Sequence, residues 1–154
     1  MTDDRRLIED YLPINALNAI AAKEKKHPKH HVALVHYWPA RRPITASRAA
    51  IYAALVAAPK SDEEREEAAK FVTQLAAYDV TPQSLTRAVA EIRAYHGGRK
   101  PKVLDLFSGG GAIPLEAARL GCESHALEYN PVAHLIELCT LVYPQRFGTT
   151  LADD

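Results

Sequence analysis

The sequence predicts an α/β protein, with a helical region at residues 1–100 followed by the first β-α-β unit of an open parallel sheet at residues 101–154. Two observations support this class. Before residue 97, apolar residues recur at helical spacing in several segments. After it, a short Val- and Leu-rich run enters a glycine loop and a helix, and a second short run ends on an acid. Such an order builds a ligand site at the carboxyl ends of parallel strands.

The first two predicted helices cover residues 14–24 and 44–57. In the first, Ile14, Leu17 and Ile20 share one face, which we expect to be buried. The second is rich in alanine and can therefore approach a neighbouring helix closely.

The stretch between these helices is basic and rich in histidine. His27, His30 and His31 are interpreted as part of a solvated loop, because the surrounding lysines repel a metal ion. Contact of this loop with DNA phosphate is the alternative. Residues 32–38 are predicted to be extended and to end at Pro39.

Two further helices carry their own start and stop signals. Ser61 and Glu64 form a capping box, and Thr81-Pro82 starts the next helix, which Gly97-Gly98 ends. The faces expected to be buried are Ala68, Phe71, Val72 and Leu75 in one helix and Leu85, Ala88, Val89 and Ile92 in the other.

Composition excludes several classes of protein. The chain of 154 residues is 47% hydrophobic and 25% charged with no net charge, as in a globular protein without bias toward nucleic acid or membrane. No apolar run reaches the ~18 residues of a membrane span, and no secretory signal opens the chain. We therefore predict a cytoplasmic protein without a membrane partner. Cys122 and Cys139 are expected to be small buried hydrophobes, since their spacing suggests neither a disulfide nor a zinc site.

The strand–loop–helix unit carries the chemistry. A strand is predicted at residues 102–107, and the loop Ser108–Ala112 needs glycine both for its turn and for close approach of a ligand to helix amides. Glu128, predicted to end the next strand, is placed to accept the ribose hydroxyls of a nucleoside, with Tyr129 against the adenine. Asn130-Pro131 caps a helix whose expected buried face is Val132, Leu135, Ile136 and Cys139.

The choice of cofactor depends on the residues around this loop. A dinucleotide site favours glycine at position 114, where this chain has proline, and Asp105 is a poor neighbour for pyrophosphate but a good partner for an ammonium group. The pattern Asp105-x-Phe107-x-Gly109-x-Gly111 resembles the first motif of S-adenosylmethionine-dependent methyltransferases, which have a Rossmann-like sheet. NAD, or a degenerate loop that binds nothing, is the alternative. The residues assigned to S-adenosylmethionine are Asp105, Phe107, Ser108, Gly109, Gly111, Glu128, Tyr129 and Asn130.

Three stretches, residues 7–24, 36–49 and the glycine loop with its continuation to 133, resemble the N-terminal part of a family of adenine-specific DNA methylases. These carry a helical domain of unassigned role ahead of the methyltransferase fold. The resemblance implies methyl transfer to the exocyclic amine of adenine in DNA, through a catalytic Asp or Asn-Pro-Pro-aromatic loop. No Pro-Pro pair occurs in this sequence, so we assign no catalytic residue and expect the sheet to be incomplete and the chain alone to be inactive. Three alternatives stay open. A second chain could supply the remaining strands, the chain could be a non-enzymatic cofactor-binding or structural subunit, or it could be a fragment of an RNA methyltransferase.

Arg41 and Arg42, between Pro39 and Pro43, complete the predicted site. The resemblance implies that one of them pairs with the methionine carboxylate of the cofactor or with a DNA phosphate. The alternative is an arginine pair that holds the helical region against acidic groups of the sheet.

Overall fold

The structure, a computed structural model, describes residues 4–24, 36 and 38–152, with side chains to residue 148. His27, His30, His31 and most of the segment 32–38 lie outside the described residues. The helices that precede the sheet are α1 (Leu7–Asp10), α2 (Ile14–Glu24), α3 (Ile44–Leu55), α4 (Asp62–Leu75) and α5 (Pro82–Tyr95).

The caps lie at the predicted residues, although only half of the predicted capping box forms, because Glu64 Oε2 accepts from the Lys60 amide at 2.7 Å and not from the Ser61 amide. Ser61 Oγ accepts from the Glu64 amide at 3.2 Å, and Thr81 Oγ1 accepts from the Ser84 amide at 3.2 Å. At the end of α5, the Gly98 amide donates to the carbonyl of Arg93 at 2.8 Å, with positive φ at Gly97 and Gly98. Satisfying otherwise unpaired backbone groups in this way fixes where each helix begins and ends.

Helix α3 ends two residues earlier than predicted. Val56 is extended, and its carbonyl accepts from the Leu7 amide at 3.1 Å, while Arg6 and Ala57 form an antiparallel bridge. The single turn α1, which the sequence analysis did not predict, buries Leu7 beside this bridge. A pairing between chain segments about fifty positions apart therefore overrides the local helical tendency of residues 56–57.

The predicted apolar faces of α4 and α5 are at the core, with Phe71, Val72, Leu75, Ala88 and Ile92 buried. The prediction for α2 is only partly right. Leu17 is buried, whereas Ile14 is exposed, because it begins the helix and lies away from α3.

Helix α3 is the central element of the fold and packs against α1, α2, α4, α5 and the later helix α6. Arg48 of α3 is buried and donates to both carboxylate oxygens of Glu116 in α6, with Nε–Oε2 at 2.5 Å and Nη2–Oε1 at 3.3 Å. Its Nη1 donates to the carbonyls of Leu75 and Ala77 at 2.9 Å. The helical region and the β-α-β unit therefore share one core, since buried residues from both belong to the same cluster.

The sheet confirms the α/β class. Strand β1 (Lys102–Asp105) pairs in parallel with β2 (Glu123–Ala126), with Lys102 opposite Glu123, and α6 (Ala112–Arg119) connects them. Both strands are shorter than predicted, because β1 ends at Asp105 and β2 ends two residues before Glu128. The chain leaves the ladder where Asp105 Oδ1 accepts from the Phe107 amide at 3.1 Å and starts the loop turn.

After β2, the chain forms α7 (Pro131–Glu137), a π-helical stretch (Leu138–Val142) and α8 (Tyr143–Ala152). Asn130 Oδ1 accepts from the Val132 amide at 2.9 Å and caps α7 as predicted. None of the helices in the described residues is both long and apolar enough to cross a bilayer.

The buried face predicted for α7 is wrong in three of its four residues. Ala133, Ile136 and Glu137 are buried, whereas Val132 and Leu135 are exposed. Cys139 is exposed too, because the wider turns of the π-helical stretch rotate it away from the core, while Cys122 is buried as expected. Both cysteines are free thiols.

Candidate functional site

The loop from β1 to α6 has the backbone shape for which the sequence supplies glycine. Gly109 and Gly111 have φ of 53° and 76°, a left-handed conformation that opposes any side chain. Gly111 is also the N-cap of α6, and its amide donates to the Ser108 carbonyl at 2.9 Å. The loop therefore turns at the helix start, where amide groups favour negatively charged or polar ligand atoms.

Glu128 joins this loop to the segment after β2. Its Oε2 accepts from the Gly109 amide at 2.6 Å and its Oε1 accepts from the Asn130 amide at 2.8 Å. These amides, Asn130 first, lower the pKa of Glu128. The carboxylate is therefore ionised at neutral pH and retains lone pairs that can accept from ligand hydroxyls.

Asp105 and Ser108 lie beside the same loop, one at the end of β1 and the other in the loop itself. Ser108 is buried, and its Oγ donates to the Leu127 carbonyl at 3.0 Å, which links the loop to the strand end of β2. Asp105 is half-buried and, as noted, bonds the Phe107 amide. These contacts tie the loop to the ends of both strands.

Two aromatic side chains flank the loop without being packed. Phe107 is 85% exposed and Tyr129 is fully exposed. Large exposed rings beside a glycine loop offer flat surfaces on which a base can stack. Tyr129 directly follows Glu128 in the sequence, so its exposed ring lies beside the carboxylate that contacts the loop.

The structure also brings Trp38 and Arg41 to the loop, from about seventy positions earlier. A Cβ placed on Gly109 would lie 2.8 Å from the Trp38 Nε1, and one on Gly110 would lie 3.3 Å from the Arg41 Nε. Only glycine therefore fits under these two side chains. Arg42, by contrast, is exposed.

Arg41 has an unusual lack of partners for a guanidinium. Its Nη2 lies 3.5 Å from the Gly110 carbonyl oxygen, while Nε and Nη1 are buried without a hydrogen-bond partner in the described part of the chain. Burial lowers the pKa of Arg41, and the charge of Glu24 opposes this effect. A buried cation without a paired anion is costly, so such a site is suited to an incoming anion.

The position of Arg41 is fixed by the start of α3. Glu24 at the end of α2 is buried, and its carboxylate accepts from the amides of Ile44 at 2.9 Å and Thr45 at 3.0 Å. It also accepts from the Thr45 hydroxyl at 2.7 Å. Pro43 is the N-cap residue of α3, so the turn that carries Arg41 is held at the end that leads into this helix.

Glu137 is the site residue that the sequence analysis missed. It is only 5% exposed, and its Oε1 has no hydrogen-bond partner within the described residues. Burial raises the pKa of Glu137, the Ser108 hydroxyl opposes this, and the charges of Glu128 and Asp105 add to the rise. The available signal was an acid next to Ile136 in an apolar helix, which is weak on its own.

Comparison with known proteins concerns the helical region. A family model described as a protein of unknown function, DUF1156, matches residues 11–77. The DUF1156 match spans α2, α3, α4 and the Trp38–Arg41 turn, and it ends before the glycine loop. No curated protein and no solved structure matches the chain.

The site therefore combines a glycine loop, three carboxylates, those of Asp105, Glu128 and Glu137, and a guanidinium with two nitrogens that lack a hydrogen-bond partner among the described residues. Such a site complements a ligand with an anionic group near Arg41, a cationic group near the acids and hydroxyls near Glu128. Among residues 4–24, 36 and 38–152, no group of three or more His, Cys, Asp or Glu side chains is placed to hold a metal ion.

Proposed function

We propose that this chain binds S-adenosylmethionine as the N-terminal portion of a DNA adenine methyltransferase with a Rossmann-like sheet. The observation that carries the proposal is Arg41 beside Gly110, with its Nε and Nη1 buried and without a hydrogen-bond partner within the described residues, next to a loop that also borders Asp105 and Glu128. The methionine part of the cofactor is a zwitterion, and it needs one cation and one anion at its two charged groups. A dinucleotide instead brings pyrophosphate, which three nearby carboxylates repel.

Each site residue has a role in this proposal. Arg41 pairs with the methionine carboxylate, Asp105 accepts from the ammonium group, and Glu128 accepts from the ribose hydroxyls. Gly109 and Gly111 let the cofactor approach the loop amides. The exposed rings of Phe107 and Tyr129 are available to the adenine.

The proposal that DNA is the substrate rests on the resemblance of residues 7–24, 36–49 and 105–133 to adenine-specific DNA methylases. Bound S-adenosylmethionine would supply a methyl group for the exocyclic nitrogen of adenine, which would lose a proton, and the thioether S-adenosylhomocysteine would be left. The residues of this chain bind and orient the cofactor. The Pro-Pro loop that would grip the adenine is absent from the sequence.

Calorimetry with S-adenosylmethionine and with NAD tests the proposal. We expect saturable binding of S-adenosylmethionine and no heat of binding with NAD. Tight NAD binding without any response to S-adenosylmethionine would refute it. A tritiated-methyl assay on DNA and on RNA then tests whether the chain acts by itself, and we expect no turnover on either nucleic acid.

A cofactor-binding subunit that a second chain completes is the second candidate. The specific observation is the exposure of three leucines on and just beyond the two strands, since Leu104 of β1, Leu106 after β1 and Leu127 after β2 are all more than half exposed. Parallel sheets are almost always covered on both faces, so this surface is suited to further strands and helices.

A further inference from the structure

Glu137 and Arg41 lie next to neighbouring residues of the glycine loop. A Cβ placed on Gly111 would lie 3.3 Å from the Glu137 Cγ and 3.9 Å from its Oε1, whereas one placed on Gly110 would lie 3.3 Å from the Arg41 Nε. Both charged side chains have buried polar atoms without a hydrogen-bond partner among the described residues. A carboxylate and a guanidinium therefore border the same short loop.

The surroundings of Glu137 are acidic. Asp105 and Glu128 both act on its carboxyl through their charges and raise its pKa, and among the described residues the basic side chain that opposes them is His134 on the same helix. The Ser108 hydroxyl is also close to Glu137, although Ser108 Oγ donates to the Leu127 carbonyl. Glu137 Oε1 is buried and has no hydrogen-bond partner among the described residues, so a cationic ligand group near the loop would stabilise the ionised carboxylate.

We propose that Glu137 is a specificity-determining residue, which makes the glycine-loop site favour a ligand with positive charge at its amino-acid end. This inference rests on the proposed function and deepens it. S-adenosylmethionine carries a sulfonium and an ammonium group against one carboxylate, so it has a net positive charge at neutral pH. Its fragment 5′-methylthioadenosine keeps the nucleoside but has no charge. Glu137 discriminates between the two through its charge, since Arg41 alone favours only an anion.

The test is calorimetric titration of the full chain with both ligands. Glu137→Gln removes the charge and keeps the shape of the side chain. We expect it to weaken S-adenosylmethionine about tenfold, or ~1.4 kcal/mol, and to change 5′-methylthioadenosine less than about twofold. The matched control is Glu123→Gln, an exposed carboxylate at the start of β2 that pairs with Lys102 and His125, and neither affinity should change there.

The outcomes separate the two proposals. Equal weakening of both ligands would indicate a purely structural role for Glu137, and unchanged affinities would also overturn the inference while leaving the proposed function intact. If the wild-type chain binds neither ligand, the proposed function fails and the inference fails with it. Should Glu137→Gln not fold, Glu137→Asp withdraws the charge by one methylene and must show a smaller loss confined to S-adenosylmethionine.

Discussion

Arg48 and Glu116 lie 68 positions apart and form an ion pair from which water is almost excluded, since their side chains are 2% and 0% exposed. Arg119 also donates to Glu116 Oε1 at 2.8 Å. This pair joins the central helix of the helical region to the helix that starts at the glycine loop. It occupies the role that the sequence analysis considered for Arg41 and Arg42.

We expect Arg48→Met to lower the free energy of unfolding by about 3–5 kcal/mol, because it leaves the Glu116 carboxylate buried without its main partner. The double variant Arg48→Met with Glu116→Leu should recover much of that loss, since no unpaired charge then remains. Urea unfolding measures both. Lys70→Met, which removes an exposed pair with Glu66, should change little, and a double variant no more stable than the single one would contradict the explanation.

Glu128 and Glu137, which both lie beside the loop, should contribute to the pH dependence of stability with opposite signs. The folded pKa of Glu128 is lowered, so its carboxylate adds stability above the unfolded pKa of about 4.3, and this is lost as the pH falls through the folded value. The folded pKa of Glu137 is raised, so its ionisation opposes folding as the pH rises through that value.

We therefore expect Glu128→Gln to destabilise the protein at pH 7 and much less in acid. Glu137→Gln should not lower the free energy of unfolding at pH 7. Any stability that it gains over the wild-type chain at pH 7 should disappear in acid, where Glu137 is protonated. Urea unfolding of both variants at several pH values measures this. Parallel pH profiles for the two variants would contradict the assignment.

Gly111 is expected to tolerate alanine poorly. Its φ of 76° strains any side chain by about 1–2 kcal/mol, and the new methyl would press on Glu137 and on Leu141, whose Cδ1 lies 3.4 Å from the Cβ position. Gly97→Ala is the matched control, because Gly97 has φ of 62° but nothing within 4 Å. Thermal unfolding should show a larger loss at 111 than at 97. Equal losses would show that only backbone strain matters.

Arg41 and Arg42 should differ in ligand binding. Arg41→Ala removes the unpaired guanidinium beside Gly110 and is expected to weaken S-adenosylmethionine about tenfold, whereas Arg42→Ala alters an exposed side chain and should leave it unchanged. Calorimetry of both variants measures the difference. A larger effect at Arg42 would show that Arg42, and not Arg41, pairs with the methionine carboxylate.

The uncovered sheet face should make the chain associate. Leu104 in β1 is 57% exposed, and Leu127, just after β2, is 56% exposed. Light scattering should therefore show species larger than the monomer, and their share should increase with protein concentration. Leu104→Lys should reduce this association, and Lys60→Leu, on an exposed turn before α4, should not. A monomer at all concentrations would contradict the expectation.

Local signals predicted much of this fold. Ser61, Thr81 and Asn130 define helix starts through hydrogen bonds to amides two or three residues away, and such contacts can be predicted from sequence. The left-handed glycines of the loop follow from the same local chemistry. These signals located both strands, but each strand ends before its predicted last residue.

Contacts between distant segments could not be predicted in this way. The burial of Glu137, the contact of Arg41 with Gly110 and the Arg48–Glu116 pair each depend on which elements meet in three dimensions. For α7, the spacing of apolar residues predicted an amphipathic helix, but which side of this helix is buried depends on the elements that pack against it. The π-helical stretch then changes the phase after Leu138, which no period of 3.6 anticipates.

Helix α6 carries the glycine loop at its first turn and Glu116 one turn further along. A ligand that displaces the loop would therefore also displace α6, which the buried Arg48–Glu116 ion pair connects to α3. Either α3 would move together with α6 or this ion pair would break. We therefore expect ligand binding at the loop to be coupled to the position of the helical region.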